Sequence, residues 1–100
     1  MGDHHRDTFF LAETVARNGG VCTMKERATL LSCYDPYVAD KLARKLRRHA
    51  REWEEVERRD RAMWHNTSRT QMVAKQAISR LTKLAQDIQA VSENQESRAA

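Results

Sequence analysis

DPYVADKLARKLRRHAREWEEVERRDRAMWH, residues 35–65, contains no glycine and a single proline, at its second position. Asp35 suits a helix N-cap, and Pro36 suits the first helical position, where the missing N–H leaves no bond unmade. At 1.5 Å per residue, roughly thirty residues make a rod of about 45 Å, longer than a compact domain of this size is wide. Such a rod must lie along another rod, in the same chain or in a second copy. The fold class follows: all-α and elongated.

Downstream, Ser68 and Gln71 form a capping-box pattern. Residues 69–92 then carry Ala74, Ala77, Leu81, Leu84, Ile88 and Val91 at three-four spacing, widened by Ile78 and Ala85. His65 to Thr67 leaves only a short connection, which predicts that the two long helices fold back as an antiparallel hairpin. The matching stripe on the long helix is Leu42, Leu46, His49, Trp53, Val56, Asp60 and Met63, poorer for its His and Asp.

Upstream, a helix over 8–18 takes Asp7 or Thr8 as cap, carries Phe9, Phe10, Leu11, Ala12, Val15 and Ala16, and ends at Gly19-Gly20. A second, over 24–32, opens with a Thr23–Glu26 capping box and carries Leu30 and Leu31. No alternating apolar pattern argues for a sheet. The expected architecture is one domain, residues 1–92, with helices over 8–18, 24–32, 36–65 and 69–92. Short N-terminal helices pack on the hairpin, and 93–100 forms a disordered tail.

Two short helices cover only part of a hairpin this long. Apolar surface near Trp53, Met63, Trp64, Met72 and Val73 is left for a second chain. We therefore expect a homodimer or higher oligomer built as a helical bundle, with Trp53, Val56, Met63, Trp64, Leu81, Leu84 and Ile88 at the protein interface.

Charged residues make up 32% of the 100, and the formal net charge is +4. That balance excludes DNA mimicry by an acidic surface and leaves nucleic acid, acidic protein and anionic lipid as partner classes. No apolar run approaches the ~18 residues of a membrane span, and the N-terminus lacks the pattern of a signal peptide. Arg6 stands where a myristoylation motif wants Ser or Thr. Without a secretory signal, Asn66-Thr67-Ser68 is an ordinary turn sequence rather than a glycosylation site. A helix between Cys22 and Cys33 would hold their Cα atoms roughly 15 Å apart, beyond the ~7 Å limit of a disulfide. Two reduced thiols in a cytoplasmic protein are expected.

Chemistry concentrates in Lys41, Arg44, Lys45, Arg47, Arg48 and Arg51, set against Asp40 alone. At 100° per residue, Lys41, Arg44, Lys45 and Arg48 share one face, a footprint for phosphates whose neutralisation releases counterions. The competing reading is a solvated face neutralised across turns by Arg48–Glu52 and Arg51–Glu55. Farther along, Glu54–Arg58, Glu55–Arg59 and Glu57–Arg61 suit a salt-bridged exterior. A helix-turn-helix register on the second and third helices would send Tyr37, Asp40, Lys41 and Arg44 into the major groove. It also sets Arg27 and Lys41 on core positions and replaces the turn glycine with Ser32.

The histidines and cysteines lack metal-site spacing. His49 reads as a core or interface polar residue. With Met1 removed, Gly2-Asp3-His4 would be able to wrap Cu(II) or Ni(II), an arrangement that a mobile terminus presents by chance. No nucleophile elbow, phosphate-binding glycine loop or HExxH occurs, so neither an enzyme nor a cofactor is expected. The leading expectation is a small dimeric regulatory protein that binds nucleic acid through the basic helix face. The alternative is an inhibitor or adaptor that docks Trp53, Trp64 and arginines on a larger protein. A third reading is an oligomer gathering Lys and Arg around a small phosphorylated ligand.

Overall fold

Asp35 opens the long helix as its sequence implies: its carboxylate accepts the Tyr37 N–H at 2.9 Å, and its carbonyl accepts the Ala39 N–H at 2.9 Å. Among the described residues four helices follow in order, α1 (Asp3–Arg17), α2 (Met24–Leu31), α3 (Pro36–Ala62) and α4 (Ser68–Ala99). The structure, a computed structural model, describes residues 3–33, 35–62 and 68–99, with side chains over 6–33, 35–59 and 71–94. Met63, Trp64 and the expected connection over 65–67 lie outside the described residues.

The Thr23–Glu26 box closes reciprocally. The Glu26 N–H donates to the Thr23 hydroxyl at 3.1 Å, and the Thr23 N–H donates to the Glu26 carboxylate at 2.8 Å. At the end of α1, Gly19 and Gly20 hold φ of 68° and 83°. The Gly20 N–H bonds to the Val15 carbonyl at 2.9 Å and that of Gly19 to Ala16 at 3.1 Å, the double bond of a Schellman cap.

Two helices run longer than their sequence signals. α1 begins at Asp3, so neither Asp7 nor Thr8 caps it. No breaker separates residues 3 and 8, and Asp3 and Asp7 suit the positive end of a helix dipole. α4 continues to Ala99 in place of a disordered tail from 93. Its last residues are polar, but Glu, Gln, Arg and Ala are good helix formers, and polarity alone does not stop a helix.

α3 and α4 form the main packing pair, with α1 on α3 and α2 on α1 and α4. Residue numbers rise along α3 as they fall along α4: Arg47 reaches Gln89, while Glu57 and Arg58 lie beside Lys75, Ile78 and Ser79. α1 instead runs alongside α3 in the same sense, with Phe9 beside Lys41 and Lys45, and Ala16 beside Trp53 and Val56. Because α2 is tied to α4, with Arg27 ion-paired to Asp87, α2 and α3 do not form the mutually packed pair of a helix-turn-helix.

One core threads all four helices, from Ala12, Val15 and Ala16 through Leu30 to Leu42, Leu46, Leu81, Leu84 and Ile88. The inner stripe of α3 differs from the one read in sequence. It passes through Val38, Ala39, Leu42, Ala43, Leu46 and Ala50, then partly buried Trp53 and buried Glu57. His49 and Val56 stand to one side, on the flank facing α1. Its alanines carry too little side chain to mark a stripe in sequence, and their small size lets a neighbouring helix approach closely.

The interface assignment of Leu81, Leu84 and Ile88 is also corrected. All three are buried within the single chain, at 0%, 5% and 0% exposure. The reason is that α3 packs along α4 and α2 rests on α4, so the stripe of α4 is used up within one chain. Coverage stops at the far end of a molecule 53 Å long. There Val56 is 41% exposed, just past the end of α1, and Val73 is 51% exposed. Val73 lies seven residues from Arg80 and eleven from Leu84, which puts it on the flank of α4 that Gly20 to Arg27 cover lower down.

Candidate nucleic-acid interface

The basic face borders an open groove between α1 and α3, lined by Phe9, Lys41, Arg44, Lys45 and Arg48. Helical spacing places Tyr37 at the head of the same stripe, four residues before Lys41. The Lys41 ammonium sits 4.5 Å from the centre of the Tyr37 ring, a cation–π contact at the surface. Arg51, seven residues after Arg44, extends the stripe on its outer side and is exposed.

Six basic residues of the sequence reading separate into distinct roles. Arg47 leaves the face: its guanidinium donates to Gln89 at 2.6 Å across the seam with α4. Lys45 lines the groove but is held by Glu13 of α1 at 3.1 Å, a partly buried pair. Arg44 pairs with Asp40 at 2.9 Å, yet its side chain is 77% exposed, so that contact contributes little and can be exchanged for another anion. Among the described residues, neither Arg48 nor Arg51 has an acidic partner within 4.0 Å.

The expected neutralising pairs form only in part. Glu52 turns to His49, 3.5 Å away, instead of Arg48. Glu55 turns to Arg58 at 3.4 Å and Arg59 at 4.0 Å instead of Arg51. Glu54 is not the partner of Arg58, and the Arg61 side chain lies outside the described residues. Glu57, assigned to the exterior, is buried at 8% exposure because it lies seven residues after Ala50 on the inner stripe. The basic stripe therefore keeps Lys41, Arg48 and Arg51 without an acidic partner among the described residues, with Arg44 in an exposed pair, and then gives way to Glu52 and Glu55. Counting from Tyr37, its length is about 20 Å at 1.5 Å per residue.

Beneath the groove, Glu13 anchors α1 to α3. It accepts from Arg17 at 3.3 Å and from Lys45 at 3.1 Å, and its carboxylate approaches His49 Nε2 at 3.4 Å. The Lys45 ammonium holds the Glu13 carboxyl below the usual carboxylate range, chiefly by hydrogen bonding. The His49 contact lacks hydrogen-bond geometry, leaving Nε2 buried without a partner. This cluster was not legible in sequence, because nothing local announces that α1 runs beside the middle of α3. Phe9 was assigned only to the core for the same reason.

Cys22 and Cys33 are free and partly buried, and burial raises both thiol pKa values, which makes them poor nucleophiles. Among the described residues no three His, Cys, Asp or Glu side chains cluster to hold a metal. The Gly2-Asp3-His4 terminus lies outside the described side chains. No helix is long and apolar enough to cross a membrane, judged over the described residues. Comparison with protein-family models, with curated proteins and with solved structures finds no match to this chain.

Proposed function

We propose that this chain is a small non-enzymatic regulatory protein that binds nucleic acid through the outward face of α3. The observation that supports this reading most is the survival of charge on that face. Glutamates stand at the right spacing to neutralise Arg48 and Arg51, and their side chains turn elsewhere. Lys41, Arg44 and Arg48 border one groove, so a phosphate chain laid along it meets several cations in succession.

Binding to a labelled oligonucleotide should weaken steeply with salt, as expected where phosphates displace counterions. Arg44→Gln combined with Arg48→Gln should lower the log–log salt slope by about 0.9 for each duplex phosphate contact removed. Both side chains are exposed and Gln is a good helix former, so the variant should keep its fold. Unchanged affinity in the double variant, or no binding by the native protein at low salt, would overturn the proposal.

The finer architecture we propose is a homodimer of α3–α4 hairpins joined where α1 and α2 end, around Val56 and Val73. Light scattering at micromolar concentration should give at least a dimer, and Val73→Glu should shift it toward monomer without loss of helix content. A strictly monomeric native protein would rule this out. In the alternative reading, an inhibitor or adaptor, Trp53 would dock only through the edge it leaves exposed, since it packs against the core beside Gly19.

A further inference from the structure

Resting on that nucleic-acid reading, we infer that the groove takes single-stranded rather than duplex nucleic acid, with Tyr37 and Phe9 as stacking surfaces for bases. The argument begins with which surfaces aromatic rings can serve. In a duplex the faces of the bases are already stacked on one another, and a protein reaches only their edges and the phosphates. In a single strand the faces are free, and proteins that bind such strands combine a basic track with aromatic platforms.

The groove has that composition. Tyr37 is 68% exposed at the head of the basic stripe. Its ring has Lys41 over one face and is otherwise largely exposed. Phe9 is partly buried and forms the α1 wall of the groove, opposite Lys41, Arg44 and Arg48. Phe10, the next residue, is 75% exposed on α1, an exposure that folding of this chain does not require. Glu52 and Glu55 end the basic track, so the site is short. A strand would run along the track with its phosphates on Arg44 and Arg48 and its bases turned toward Phe9 and Tyr37.

Charge alone would not distinguish strand from duplex, so the test uses both. Anisotropy titrations at fixed low salt would compare a labelled twelve-nucleotide strand, the same sequence as a duplex, and inorganic polyphosphate as a probe of charge only. The expected result is tighter binding of the single strand. Tyr37→Ala should weaken single-strand binding by about tenfold, and Tyr37→Phe should restore it. The salt slope should stay the same in both, because no phosphate contact is lost. Polyphosphate binding should not respond to Tyr37→Ala.

Tyr37 is exposed, so these variants should fold, with thermal unfolding as the check. Phe9→Leu keeps an apolar wall while removing the ring, and it should weaken the strand and leave polyphosphate unchanged. Duplex binding equal to or tighter than single-strand binding, or an unaltered Tyr37→Ala variant, would overturn this inference while leaving the wider reading intact. Absence of binding to either nucleic acid would overturn both.

Discussion

Leu81→Ala should lower the unfolding free energy by about 2–5 kcal/mol, as large-to-small changes at fully buried leucines do. Leu81 is 0% exposed and lies in the core shared by all four helices. Against a total stability of about 5–15 kcal/mol for a domain, that loss is severe, and Tm should fall by on the order of 10 °C or more. Gln86→Ala, at an exposed position on the same helix, should change stability by about 0.5 kcal/mol or less. Denaturant titration gives the comparison directly. It also separates two roles for Leu81. A side chain at a contact between copies would show a deficit that varies with protein concentration, because association adds its free energy by mass action. A side chain in the core of one chain shows the same deficit at every concentration. A concentration-dependent deficit, or equal stability of the two variants, would contradict the core placement.

The helices were legible because their ends carry strong local chemistry. Asp35-Pro36, the Thr23–Glu26 box and Gly19-Gly20 each act within a few residues, and each appears in the structure as its sequence implies. The stripe of α4 was legible too, since Leu81, Leu84 and Ile88 mark it with large side chains. Less legible was which residues of α3 meet a partner helix. Ala39, Ala43 and Ala50 form the inner line of α3. Alanine is too small to mark a stripe, whereas the larger His49 and Val56 suggest one although they face α1.

The candidate site shows the same division. The basic residues are obvious in sequence, whereas their distribution among roles is set by neighbours far away along the chain. Arg47 is turned to Gln89, 42 residues on, and Lys45 to Glu13 of α1. Glu52 and Glu55 could each have closed a cross-turn pair with an arginine of the stripe. Exposed pairs of that kind are worth only about 0.3–0.5 kcal/mol, so small tertiary preferences decide which forms. Phe9 lines the groove from α1, and Tyr37 stands beside it on α3 through its contact with Lys41. No spacing rule joins them.

Gly20→Ala should be among the most damaging single changes outside the large core side chains, at a cost of roughly 2–5 kcal/mol. Two effects add. Gly20 sits at φ 83°, in the left-handed region, where an L side chain costs about 1–2 kcal/mol. A methyl there would also lie 2.7 Å from Cβ of Arg80 and 3.2 Å from the Leu81 nitrogen, so the loop and α4 would have to move apart at a cost of about 1–3 kcal/mol. Gly19→Ala provides the comparison. Its φ of 68° carries similar backbone strain, but its nearest neighbour would be the Ala77 methyl at 3.1 Å, a contact that a shift of a few tenths of an ångström relieves. Gly20→Ala should therefore be the worse of the two in thermal unfolding. Equal losses would mean that the backbone angle alone accounts for the glycine pair. The greater loss at Gly20 would show that this turn also works as a packing contact, pressing the start of α2 onto α4 where Arg27 meets Asp87.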